Sequence, residues 1–178
     1  RGLKEGVLKG DILINLDSET QGEMYVGCAG GLDATAVFKY KEEPLPKGYE
    51  VFAIHVKGLR GGHSGMEIHE GRCNANKIMM RVLLPALRDL KGKLVSIEGG
   101  NLRNAIPREA VAVVAIPTER ADELQVIVDS VLAQVKNEYA NIDPNVQIFL
   151  EEAKAKKVMA SNVALKMAKA VYACPNGV

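Results

Sequence analysis

Neither sign of charge is in excess along this chain: 23 basic and 22 acidic side chains leave a formal net charge of +1, and they are interspersed. A phosphate backbone is bound by a basic stripe that releases its counterions, so nucleic acid is not an expected partner. Long hydrophobic runs are absent as well. No apolar segment approaches the roughly 20 residues that cross a bilayer, and no charged, apolar and small-residue succession opens the chain as a secretion signal would. Membrane insertion is therefore not expected, and a cytoplasmic location is. Cysteine is scarce, with Cys28, Cys73 and Cys174 odd in number and widely spaced. That speaks against a disulfide framework and a Cys-rich structural zinc site, and all three are expected as small buried apolar groups.

What is present suffices for a real core. A hydrophobic content of 47% over 178 residues supports one domain of ordinary size plus an appendage. The chain opens on Arg1 and stops at Val178 within a PNGV turn, so both ends are expected to be cut from a longer protein. Near the start, Ile12 to Leu16 forms an apolar run closed by Asp17 and Ser18, which reads as a buried strand. Pro44, Pro46 and Gly48 then break regular structure and mark a boundary near residues 41–48.

From Tyr49 onward the patterns alternate between the two periods. YEVFAIHV alternates as a half-buried strand and runs into the glycine-dense GLRGGHSGMEIHEG. Asn74 to Leu90 has helical spacing at Ile78, Val82, Ala86 and Leu90, with a kink expected at Pro85. KLVSIEGG and REAVAVVAIP read as strands on either side of NLRNAIP. Thr118 is placed to cap a second helix with an apolar stripe from Leu124 to Val135, and NVQIFLEEA follows as a fourth strand. SNVALKMAKAVYA closes the chain as an amphipathic helix that Ser161 is placed to cap. Strand, helix, strand, strand, helix, strand is the ferredoxin-like βαββαβ order. The expected fold is thus α+β, a four-stranded antiparallel sheet with two helices on one face. Fold alone does not give chemistry.

Three places could carry chemistry. GLRGGHSG sets His63 among four glycines, a costly arrangement unless positive φ angles or close approach to a ligand require it. Such an imidazole could donate to a developing oxyanion or move a proton, or it could face water on a flexible turn. EGGNLRNAIPRE brings Asn101, Arg103, Asn104 and Arg108 close in sequence, and amide and guanidinium groups there could grip a carboxylate. On residue types alone, an Asx-type turn with Asn104 bonding its own backbone is the plainer reading. Asp17 ends an apparent parallel-type strand, where α/β proteins place ligand sites and a carboxylate can hold zinc. One acid makes no metal site, and a turn aspartate is the plainer reading of it alone. His55 is expected to pack or face solvent, and His69 to orient the glycine loop or simply be solvated.

Taken together, NLDSETQGEMYVGCAGG, GLRGGHSGMEIHEGRCNANK and GGNLRNAIPRE resemble the corresponding stretches of bacterial aminoacyl-histidine dipeptidases. These are members of the large family of dinuclear zinc peptidases with an inserted lid, and the resemblance covers nearly the whole chain. It implies that residues 1–40 are a segment of the zinc-binding catalytic domain and residues 41–178 the first unit of the lid. Asp17 would be a terminal ligand of one of two zinc ions. His63 would polarise the scissile carbonyl, and Asn104 would contact the bound dipeptide near its C-terminal carboxylate. The remaining ligands, the general base and the arginine that accompanies the lid asparagine would lie outside this chain, which alone would be inactive and hold no zinc. The implied partners are an Xaa-His type dipeptide, the remainder of the catalytic domain and a second copy in a homodimer. Two rival readings are a stand-alone ferredoxin-like binding or dimerisation module, and a related zinc aminoacylase or tripeptidase.

Overall fold

The computed structural model describes residues 4–7, 9–12, 14, 16, 20–27 and 30–177. The chain divides into two units, residues 1–36 and 37–178. The described residues of the first unit form no helix or strand. Of the buried strand expected over Ile12 to Leu16, Leu13 and Asn15 lie outside the described residues, and Ile12, Ile14 and Leu16 belong to no strand and are 82%, 77% and 88% exposed. A single strand gains little without a neighbour to pair with, and none is present among the described residues of this unit.

The second unit carries β1 (Glu42–Pro44), β2 (Tyr49–Lys57), β3 (Gly62–His63), α1 (Ala75–Arg88), β4 (Lys93–Gly99) and β5 (Ala105–Ile106). It continues with β6 (Ala110–Pro117), α2 (Ala121–Glu138), β7 (Gln147–Glu152), β8 (Lys157–Met159) and α3 (Ser161–Ala173). Four strands form one antiparallel sheet in the order β4-β6-β2-β7, which is the ferredoxin-like arrangement expected from the element order. Period-two alternation puts Ile54 and Val56 of β2, Ala112 and Val114 of β6, and Ile148 of β7 on one buried face. α1 and α2 cover that face, and Leu124, Val128, Val131 and Val135 supply the α2 stripe.

α1 is more buried than its expected stripe. Met79, Met80 and Leu83 join Ile78, Val82 and Ala86 because α3 packs on a second side of the helix through Ala164 and Ala168. The expected closing helix thus adds to the core beside the two helices on the sheet face. α1 runs unbroken through Pro85, whose carbonyl accepts the Asp89 N–H at 2.8 Å. Asn74 caps it by accepting from the Asn76 and Lys77 N–H groups. At the other end of α3, the Lys77 ammonium donates to the carbonyls of Val171, Tyr172 and Cys174. Those are carbonyls a helix C-terminus leaves unpaired, and a cation there also complements the helix dipole.

Several local expectations fail where a tertiary partner takes over. Thr118 does not cap α2; Thr118–Arg120 is a 3-10 turn, and the Thr118 N–H is tied to the Gly48 carbonyl at 2.9 Å. Ser161 is the first residue of α3 instead of its cap, and its hydroxyl accepts from Lys93 Nζ at 2.7 Å. The proline-rich boundary contains a short strand, β1, that pairs with β8 as an edge ribbon. Cys73 is buried as expected, whereas Cys174, just past α3, is exposed, and Cys28 lies outside the described residues.

Antiparallel register sets which loops meet. Val56 near the end of β2 pairs with Ala110 at the start of β6, Gly99 at the end of β4 pairs with the same Ala110, and Lys57 pairs with Gln147 at the start of β7. The segments after β2 and β4 and before β6 and β7 therefore all emerge at one end of the sheet. Directly after β2 the chain turns at Gly58 with φ +79°, where a Cβ would overlap the Asn145 carbonyl oxygen. Gly58→Ala is expected to lower stability by about 2 kcal/mol through backbone strain and that overlap. The check is the urea midpoint at an unchanged m-value.

Candidate functional site

The loop between β2 and α1 carries His63, and its geometry is set by charge, not by apolar packing. Gly62, at φ +141°, lies so close to Arg72 and Glu67 that a side chain there would meet both. Arg72 reaches back across the loop. Its Nη1 donates to the Gly61 carbonyl at 2.7 Å, Nη2 to Glu67 at 2.6 Å and Nε to Glu70 at 2.8 Å. Glu67 in turn accepts the His63 backbone N–H at 2.6 Å. That hydrogen bond holds the Glu67 carboxyl below its usual range, with Arg72 pulling the same way against partial desolvation.

The same loop fixes the tautomer of His63. Nδ1 accepts the backbone N–H groups of Gly65 at 3.0 Å and Met66 at 3.1 Å. In the neutral ring the proton must then sit on Nε2, so the exposed imidazole presents an N–H donor outward. The imidazole is thus exposed, and its ring is held in one orientation by its own loop.

His63 and Asn104 are brought together, although 41 positions separate them in sequence. β3 and β5 form a two-residue antiparallel ribbon in which Gly62 pairs with Ile106 and His63 with Ala105. Immediately beyond it, the Ser64 N–H donates to the Asn104 carbonyl at 2.9 Å. The Asn104 segment is fixed at its other end by the Pro107 carbonyl, which accepts the Ala75 N–H at the start of α1. Asn104 itself is exposed. Of the polar residues of the second stretch, Asn101 and Arg108 line an open groove of about 860 Å³ together with Arg60 and Leu102.

Asp17 lies outside the described residues. Among the described residues, no group of three His, Cys, Asp or Glu side chains is placed to hold a metal ion. His55 packs, as one of its two expectations had it. Its ring stacks on Phe149 with centroids 4.9 Å apart, and Nε2 lies 3.1 Å from a Glu151 oxygen but out of line for a hydrogen bond. His69 is exposed in a 3-10 turn. Burial, together with the neighbouring Asp143 carboxylate, pushes the Cys73 thiol well up, so it is no nucleophile. No helix among the described residues is long and apolar enough to cross a membrane.

Sequence reasoning missed Arg72, Glu67 and Asp143. The first two lie close to His63 in the chain, and an Arg and a Glu flanking a glycine loop were a usable signal. Asp143, in NIDPN, reads locally as a turn residue, and its partners are far away in sequence.

A depressed Glu67 pKa means its carboxylate helps hold the loop above the ordinary glutamate value of about 4.3, and that help is lost as pH falls through the lower folded-state value. Hydrogen-exchange protection of the His63 amide, whose N–H Glu67 accepts, is therefore expected to hold above the ordinary glutamate value and to fall as pH drops through the lower folded-state value. Glu67→Gln should remove the pH dependence and leave protection low throughout.

Comparison with known proteins agrees with this geometry. The peptidase dimerisation domain of the M20 peptidases matches residues 54–143. The chain is 42% identical over 178 residues to the cytosol non-specific dipeptidase of Escherichia coli (strain K12), covering 99% of this chain and 37% of that protein. It superposes on the crystal structure of aminoacylhistidine dipeptidase from Vibrio alginolyticus with a TM-score of 0.81 and 42% identity, covering 99% of this chain and 36% of that one. This chain thus spans little more than a third of the length of either relative. That family match, which runs from within β2 through α2 and takes in the His63 and Asn104 segments, places the chain in the family of M20 peptidase dimerisation domains.

Proposed function

We propose that this chain is the lid segment of a metallodipeptidase that hydrolyses Xaa-His and related dipeptides, and that it acts only within the complete protein. In this reading residues 41–178 form the first lid unit, and residues 1–40 belong to the catalytic domain, whose other strands would give Ile12 to Leu16 their pairing. Two zinc ions would be held by the remainder of the enzyme, with Asp17 the one ligand supplied from here. The protein would act in the cytoplasm as a homodimer. Support comes from the names of the two relatives, both dipeptidases at 42% identity, and from the family match.

The observation that carries the reading is the orientation of His63. Two backbone N–H groups occupy Nδ1, so Nε2–H is aimed away from its own loop as a preset donor. When a peptide carbonyl is attacked, its oxygen gains negative charge, and a donor already fixed in place stabilises that charge without reorganising. Asn104, held beside His63 by the β3–β5 ribbon, offers an amide that can contact the dipeptide near its carboxylate.

In the full-length protein, His63→Ala is expected to lower kcat for β-alanyl-histidine about 10²- to 10³-fold, the usual effect of removing one oxyanion donor. Asn104→Ala should act mainly on KM. Turnover of β-alanyl-histidine that His63→Ala leaves unchanged at saturating zinc defeats the proposal.

A further inference from the structure

Asp143 is the one buried polar or charged side chain among the described residues, at 1% exposure. Among the described residues, neither of its oxygens contacts another charged side chain at hydrogen-bonding distance; each accepts a backbone N–H from one foot of the His63 loop. Oδ1 takes the N–H of Arg60 at 2.7 Å, and Oδ2 takes that of Cys73 at 2.8 Å. Those two residues bracket the whole loop from Gly61 to Arg72. The carboxylate is itself held from a third element, because the Asp143 N–H bonds to the Tyr139 carbonyl at 2.9 Å just past α2. One side chain thereby joins the end of β2, the start of α1 and the connection from α2 to β7.

Burying a carboxylate costs free energy that a packed apolar side chain would not. What the carboxylate supplies in return is geometry: two acceptors about a fixed carbon set the spacing between residues 60 and 73. The hydrogen bonds within the loop, including those on His63 Nδ1, form on that spacing. Arg72, the residue next to the Cys73 foot, makes the contacts to Gly61 and Glu67.

Building on the dipeptidase reading, we propose that Asp143 is a positioning residue for the reaction, acting through His63 by clamping both feet of its loop. It touches no substrate. Its role is to keep the Nε2–H donor where the developing oxyanion forms, so its loss should appear in kcat more than in KM.

The test is a double-mutant cycle in the full-length enzyme with β-alanyl-histidine as substrate. Asp143→Asn keeps the shape of the side chain but turns one acceptor into an NH₂ that faces an N–H, so one foot is released. The variant is expected to lose about 10- to 100-fold in kcat with KM changed less than about 3-fold. Introduced into His63→Ala, the same change is expected to cost less than about 3-fold, because the donor it positions is already gone. An equal loss in both backgrounds means that Asp143 supports the fold generally, and overturns the proposal. A His63→Ala protein with unchanged turnover instead defeats the dipeptidase reading on which the proposal rests. Should Asp143→Asn not fold, Asp143→Ser is read in the same cycle; failure of both to fold assigns Asp143 to global stability and likewise overturns it.

Discussion

β2 and β6 run antiparallel at the centre of the sheet, with Val56 opposite Ala110, and every functional feature of the second unit follows from that register. It brings the segment leaving β2, which carries His63, to the same end of the sheet as the segment entering β6, which carries Asn104. The neighbouring pairs extend the effect: β4 ends and β7 begins there as well, and the turn before β7 brings in Asp143. A slip of one residue would exchange the two faces of the sheet, exposing Ile54 and burying His55 against the helices. Apolar burial on one face thus decides the placement of polar groups at the end of the same strands.

The two parts of the structure are held by different forces. The sheet and helices rest on a dry core of Ile54, Met79, Leu83, Leu94, Val114 and their neighbours, all fully buried. The His63 loop has few such contacts. Its order comes from hydrogen bonds and ion pairs among Arg72, Glu67, Glu70 and backbone carbonyls, and from the buried Asp143 at its feet. Polar restraint leaves the imidazole exposed while its ring orientation is fixed from within the loop.

Much of the fold was legible in the sequence because its signals are local. Alternation in YEVFAIHV and REAVAVVAIP, helical spacing from Ile78 to Ala86 and from Leu124 to Val135, and the order of these segments were enough for the ferredoxin-like arrangement. Ends and caps were less legible. Thr118 and Ser161 are good capping residues by type, yet Gly48 and Lys93, distant in sequence, use those positions otherwise. Likewise Ile12 to Leu16 has the composition of a buried strand, but composition cannot supply a strand to pair with, and the described residues of the first unit contain none.

For the site, the sequence raised His63 as a histidine among glycines, whereas Asn104 read by type as a turn residue and stood out only through the resemblance to the dipeptidases. The tertiary structure decided what those residues can do. That His63 offers Nε2–H depends on two amides of its own loop. That Asn104 stands beside it depends on a two-residue ribbon, and that the loop holds its shape depends on a carboxylate 80 positions further along. Burial and periodicity are properties of neighbouring residues and can be read along a chain. Hydrogen bonds that close over such separations exist only once the sheet has set its register.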